Sequence, residues 1–432
     1  MANKTIRVYR ALFGIILLLA PSFSNEIGLS VKETLGFSRN REMVHNGIPI
    51  SRLLNVRNTN NIRLVDSEGN NVDAQFEILA RWAGGIDGGN PIKWLLVSFP
   101  ADVDAFEEKA YKLVAGTQRI RGTSLIFDET EDALTVNTGV AVFEISKRRL
   151  NIFNRISLSR APETNLVESS GEAVLHVDGK PLMVAQPPDS IAIEHQGPLF
   201  VTVRLSGHFS NPPYSNIPWK YTLRYSFHAD GAAAELDFSF SFPGTKNGDR
   251  NLDVWDKGLL VKMRGAHLTL PLNLGGEELG YVAAEKQKSL SSSLGSGTGC
   301  TLKQRLRTRM KEPPTYTMDV GTQNHSGGFA TLPFVAVKGE SGMIGATIQK
   351  FRYYEPQALK ADARKIEIHV VTDSQWCSSF MGAFAKCAVA VGAPEKPFDA
   401  LAHATHAALE RRLVAWPGRG YVAHTGVFDE LW

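Results

Sequence analysis

Cysteine is almost missing from this chain: three residues in 432, at Cys300, Cys377 and Cys387. A disulfide-stapled scaffold is excluded, and without a C-x-x-C pair there is no redox centre of that type and no zinc half-site. The number is odd, so at least one thiol is free or pairs between chains. Cys377 and Cys387 can bridge only from neighbouring strands. An excess of one charge is missing too. Lys and Arg number 47 and Asp and Glu 44, a net +3, which gives no reason to expect a nucleic-acid partner. Past the N-terminus no apolar run approaches the roughly 18 residues of a membrane-spanning helix. There is no phosphate-binding glycine loop, no G-x-S-x-G elbow, no H-x-H and no H-E-x-x-H, so no cofactor and no metal are expected. His403 and His406, three apart on a predicted helix, are weak grounds for a metal. The carboxylates are too many and too scattered to nominate a glycosidase pair.

What is present is an ordinary globular balance, 43% hydrophobic and 21% charged. The length allows two or three domains. Residues 1–24 read as a secretory leader. Lys4, Arg7 and Arg10 precede an apolar run from Ala11 to Ala20, and Ser22 and Ser24 form a small-x-small site with cleavage after Ser24. The protein is therefore expected to be secreted or extracytoplasmic.

The body reads as β throughout. Tyr221, Leu223, Tyr225 and Phe227 alternate with polar residues; so do Leu236, Phe238, Phe240 and Phe242, then Leu268, Leu270, Leu272 and Leu274, then Ile366, Ile368 and Val370. Period-two alternation means one face buried, and the turn signals Glu68-Gly69-Asn70, Asp87-Gly88-Gly89, Asp178-Gly179, Asp230-Gly231 and Gly275-Gly276 separate the runs. Helical periodicity is convincing only from Phe398 to Leu413, a helix of roughly 16 residues opened by Pro397. The predicted class is mostly β: a small barrel over 25–118, a large antiparallel β-sandwich over 119–392 and a helical exit segment over 393–432.

Three constellations could carry chemistry. Lys303, Arg305, Arg307, Arg309 and Lys311 set five cations at alternate positions. On a strand they would project from one face at about 6.5–7 Å intervals. Such a strip fits an extended polyanion such as an acidic polysaccharide, whose uronate carboxylates suit a guanidinium fork. It equally fits an edge strand guarded by charge. Lys350-Phe351-Arg352-Tyr353-Tyr354 puts cations and aromatic rings at a strand end, a composition suited to a sugar or to a core flank. Trp82 and Trp94 bracket a glycine-rich loop, either as a stacking platform or as a cap on the small barrel.

Some blocks resemble a known family. Val31 to Arg39 with Asn46-Gly47-Ile48-Pro49, Leu64 to Gly69 leading to Arg81-Trp82, and Ile92 to Phe99 are similar to the N-terminal RIFT-barrel domain of the exo-rhamnogalacturonan lyase and YetA-like family. Phe351, Pro356, Ala358 and Leu359 resemble its central sandwich, with departures at Gln349, Lys350 and Gln357. The resemblance implies cleavage of acidic pectic rhamnogalacturonan by β-elimination, and a C-terminal α/α toroid that would begin where this sequence stops. Elimination needs a cation on the uronate carboxylate, a base and an acid. Arg352 would be the clamp, Lys350 or Tyr354 the base or acid. Tyr353, Trp82, Trp94, Lys303, Arg305, Arg307 and Arg309 would bind substrate. Three readings follow: a lyase relative, a non-catalytic binder of acidic carbohydrate or scaffold, or a fragment of a longer lyase.

Overall fold

The computed structural model describes residues 26–428 except 121, 123–124, 178–181, 211–218, 242–260, 296, 305–314, 352–356, 373–374 and 378–381, with backbone alone at 261 and 375–377. The chain is mostly β, as the alternation predicts. Two nine-stranded sheets face one another, and a four-stranded sheet from residues 126–158 packs with them around one large core. All described pairings are antiparallel. Strand Lys220–His228 shows why. Tyr221, Leu223, Tyr225 and Phe227 are buried in the core, while Thr222, Arg224, Ser226 and His228 take the opposite face. Strand Ala233–Ser241 repeats the pattern with Leu236, Phe238 and Phe240 inside.

Strands deeper in the same sheet lack alternation. Met343–Ile348 is buried at all six positions, as is most of Phe334–Lys338. Helix α1 (Phe398–Glu410) explains them. Its Leu401 and Ala402 pack with Ala336, Met343 and Ala390 on the sheet's outer side, so both faces are covered. The helix spans 13 residues, shorter than the periodicity suggests, because Arg411 leaves helical geometry. One sheet thus has two kinds of outer surface, apolar beneath α1 and polar over strands 190–241.

A second, smaller β unit comes from residues 27–115. Its five- and three-stranded sheets enclose a separate core that includes Ile48, Leu64, Val97 and Phe99. After α1 the chain returns to this unit. Strand Ala415–Pro417 pairs with Ile27–Lys32, Leu413 and Ala415 enter the small core, and the Tyr421 hydroxyl donates to Pro49 O at 2.9 Å.

The cysteines do not form the one bridge considered. The strand of Cys377 pairs in one nine-stranded sheet and that of Cys387 in the other, and both Cys300 and Cys387 are free thiols in the core. Burial pushes the Cys300 thiol up to about 12.

Candidate functional site

The polar half of the outer surface is built by register. Arg204, Arg224, Asp237 and Lys386 are directly opposite one another across four adjacent strands, making one transverse row. Thr202, Ser226 and Glu235 make the next. Two arginines side by side repel unless an anion intervenes. Glu194 is that anion. It is the extra residue of a β-bulge between Ile193 and His195, a device that re-aims a side chain. Its carboxylate accepts from Arg204 Nε at 2.7 Å, from Arg224 Nε at 2.5 Å and from Arg224 Nη2 at 3.0 Å. Hydrogen bonding from Arg224, against some desolvation, holds Glu194 below the usual carboxylate range. Both arginine side chains stay 36% exposed, so the row remains open to solvent.

The small β unit forms a wall along this shelf. His45 reaches out from strand Arg39–Pro49, its ring 5.1 Å from that of His228 and 4.6 Å from that of Phe200. Its Nδ1 lies 2.8 Å from Ser98 Oγ. His195 Nδ1 sits 2.8 Å from Glu77 Oε2. The link after α1 supplies Arg412, which donates through Nη2 to Glu235 Oε1, while Lys386 Nζ lies 3.1 Å from Glu235 Oε2. Three parts of the chain therefore converge on Glu235.

Electrostatics separates the groups. Burial favours neutral Glu235, yet Arg412, His228 and Lys386 overcome it and hold the carboxyl down at about 2. Burial pushes His228 down to about 4, with Glu235 opposing and Arg412 and Lys386 assisting. His45 falls well below its ordinary value for the same first reason, helped by His228 and Arg412. Asp237 moves the other way. Burial raises it and Glu235 adds repulsion, against Lys386 and Arg224. Its Oδ1 is buried without a hydrogen-bond partner. The shelf thus offers guanidinium and ammonium donors, an ion-paired carboxylate at Glu235 and, two residues along the same strand, a carboxyl that holds its proton more tightly. That combination can bind hydroxyl groups by paired donors and acceptors and can exchange a proton at Asp237. Among the described residues, no group of three or more His, Cys, Asp and Glu side chains is placed to hold a metal ion.

Of the residues nominated from sequence, the described ones, Lys303, Lys350, Trp82 and Trp94, are placed as follows. Lys303 lies on strand Gly299–Gln304 in the opposite nine-stranded sheet. Arg305, Arg307, Arg309, Arg352, Tyr353 and Tyr354 fall outside the described residues. Lys350 follows strand Met343–Ile348 in a left-handed turn at φ 55°, donates its N–H to Glu410 Oε2 at 2.8 Å, and lines a 230 Å³ hollow with Phe37, His406 and Arg411. Trp82 and Trp94 are on the small unit with separate contacts. Trp82 Nε1 donates to Ile50 O at 3.0 Å, and Trp94 meets Phe428 edge-on at 5.8 Å. The shelf residues went unnominated, although their signal was the polar partner set of the same alternating strands.

No family model matches the chain and no curated protein matches its sequence. Solved structures do match. A protein in the glycosyl hydrolase family 38 from Enterococcus faecalis superposes with TM-score 0.53 and 10% identity, covering 88% of this chain and 47% of its own. The fold is shared with that protein. An alpha-mannosidase from Enterococcus faecalis V583 gives TM-score 0.45 and 10% identity over 88% of this chain and 45% of its own. A galactose mutarotase-like protein from Lactobacillus casei gives 0.31 and 10% over 62% and 99%. The chain spans about half the length of the first two.

These findings overturn the exo-rhamnogalacturonan lyase resemblance. The shared fold is that of a glycosyl hydrolase family 38 protein, and no family model supports the lyase assignment. The blocks that suggested it have local explanations. Glu33 closes the Leu35-Gly36 turn by accepting from both backbone N–H groups at 2.8 and 2.7 Å. Asp66 Oδ1 caps the next turn through Glu68 N and Asn70 N, both at 2.9 Å. Turn chemistry of this kind recurs in any small β unit.

Proposed function

We propose that this chain binds carbohydrate and that the shelf along Glu194, Arg204, Arg224, Asp237 and Lys386 is the saccharide site. The observation that carries the reading is the in-register row of charged side chains, bridged by Glu194 and left open to solvent. A sugar presents several hydroxyl groups on one plane, and a fixed array of donors and acceptors matches them. The fold shared with a glycosyl hydrolase family 38 protein supports the same class of ligand. Four cations, counting Arg412, face three carboxylates, and most are already paired. That near balance favours a neutral saccharide at the shelf. An acidic chain would belong to the strand of Lys303 instead.

The test is calorimetric titration with a neutral α-mannotriose and with an oligogalacturonate. Arg224→Ala should weaken mannotriose binding at the shelf at least tenfold while circular dichroism stays unchanged. Equal affinity in variant and wild type overturns the shelf as the site. Oligogalacturonate binding that survives this substitution assigns acidic chains elsewhere.

We further propose export, on the cation-then-apolar pattern of residues 1–20 and the Ser22-x-Ser24 site. Expression with the full leader in a secreting host should give a mature protein beginning at Asn25 by N-terminal sequencing. Retention of Met1 in the cell pellet would remove this reading.

A further inference from the structure

On the small unit lies a hollow of 830 Å³ that none of the shelf residues lines. Trp94, Trp416, Phe428 and Pro417 line it, with Asn46 and Arg419 among them. Trp416 is 63% exposed and Phe428 40%, which is unusual for rings this large. The exposure follows from the strand. Ala415 points into the small core at full burial, so the next residue, Trp416, must take the other face. Pairing of Ala415–Pro417 with Ile27–Lys32 then fixes its backbone. Trp94 and Phe428 hold each other edge-on, with ring planes at 75°. Asn46 is anchored by its Nδ2–H to Ala415 O at 2.7 Å.

We infer that this hollow is a second saccharide site, in which the apolar C–H face of a pyranose stacks on the Trp416 indole and hydroxyl groups meet Asn46 and Arg419. The inference rests on the carbohydrate reading above but on different residues. An indole offers a broad flat apolar face, and a sugar ring has one apolar face and a polar rim, so the two match where a polar side chain lies beside the ring. The volume falls within the range of about 300–1,000 Å³ typical of small-ligand sites and is suited to a few sugar residues. One strand serves both places, since His45 borders the shelf and the adjacent Asn46 the hollow.

The experiment is titration of the full chain with α-mannotriose, read by calorimetry and by tryptophan fluorescence. Wild type should bind two equivalents with a fluorescence change. Trp416→Ala, and separately Phe428→Ala, should retain one equivalent, and Trp416→Ala should lose most of the fluorescence change. Arg224→Ala should retain the fluorescent equivalent and lose the other. If Trp416→Ala binds as wild type does while Arg224→Ala loses its site, the hollow is not a site and the shelf reading stands. If Trp416→Ala abolishes binding while Arg224→Ala changes nothing, the hollow stands and the shelf falls. No binding by wild type at millimolar mannotriose overturns both. Self-association in sedimentation that Trp416→Ala abolishes, without mannotriose binding, also overturns the inference and makes this face a contact between copies.

Discussion

Glu235→Ala should lower the unfolding free energy by about 3 kcal/mol at pH 7, below the upper range for breaking a fully buried ion pair because its cations keep some contact with water. The carboxylate sits beneath Arg412 and Lys386, whose side chains are each 25% exposed, and beside His228 at 3.9 Å. Removing it leaves two cations facing each other over a buried ring. Arg412 belongs to the link after α1, Lys386 and Glu235 to the large sheet, so the loss also loosens the return of the chain to the small unit. Urea unfolding at pH 7 measures this. A change under 1 kcal/mol would mean that the three groups are solvated independently.

The same junction sets an acid response. His45 and His228 are bases whose folded-state values lie below 6.5, that of His228 at about 4. The unfolded chain therefore takes up protons first as pH falls. Their neutral burial contributes its full stability above about pH 6.5 and loses it progressively down to about pH 4, below which the slope from His228 vanishes. His228→Gln should flatten this limb of the stability profile. An unchanged slope would show that His228 titrates as in the unfolded chain.

Much of the fold was legible because burial in a sheet has period two. The inward sets of Lys220–His228 and Ala233–Ser241 could be read residue by residue. Met343–Ile348 could be read only as apolar, since α1 covers its second face from more than fifty residues away. The shelf was not legible at all as a site. Its polar residues were visible as the outward halves of those strands, but their convergence depends on register and on one bulge at Glu194. The pair Glu235 and Arg412 is separated by 177 positions. Strand Ala415–Pro417 is three residues long, too short for any periodic signal, and it alone turns Trp416 outward. The block from Val31 to Arg39 drew attention for a likeness to a lyase. Its real content is an ion-pair network that no spacing rule announces.

That network supports the second large effect. Arg39→Met should destabilise the chain by about 3–5 kcal/mol, because it leaves two carboxylates buried without their cation. The Arg39 side chain is 2% exposed and lies between Glu33 at 2.9 Å and Glu42 at 2.5 Å, themselves 0% and 9% exposed. Each acid also holds backbone. Glu33 accepts from Leu35, Gly36 and Phe106 N–H groups, and Glu42 from Leu413 N at 2.9 Å. Arg39 Nη2 points to Arg411 O at 3.4 Å. The guanidinium thus fastens the end of α1 to the small unit. Replacing all three charges, as Glu33→Gln, Arg39→Met and Glu42→Gln together, should recover part of the loss, since no charge is then stranded. A triple variant weaker than Arg39→Met alone would locate the stability in the backbone contacts of the two acids rather than in the pairing. Acid reads His228 and Glu33 in different windows. Burial raises Glu33, but Arg39 and the backbone donors bring it down to about 2, so its contribution is intact above about pH 4.5 and fades as pH falls toward 2. Glu42 shifts upward by burial and opposes that trend. Loss of stability between pH 6.5 and 4 should therefore respond to His228→Gln and not to Glu33→Gln. Loss below pH 4.5 should respond to Glu33→Gln. The reverse assignment would place the acid sensitivity of the chain in other groups.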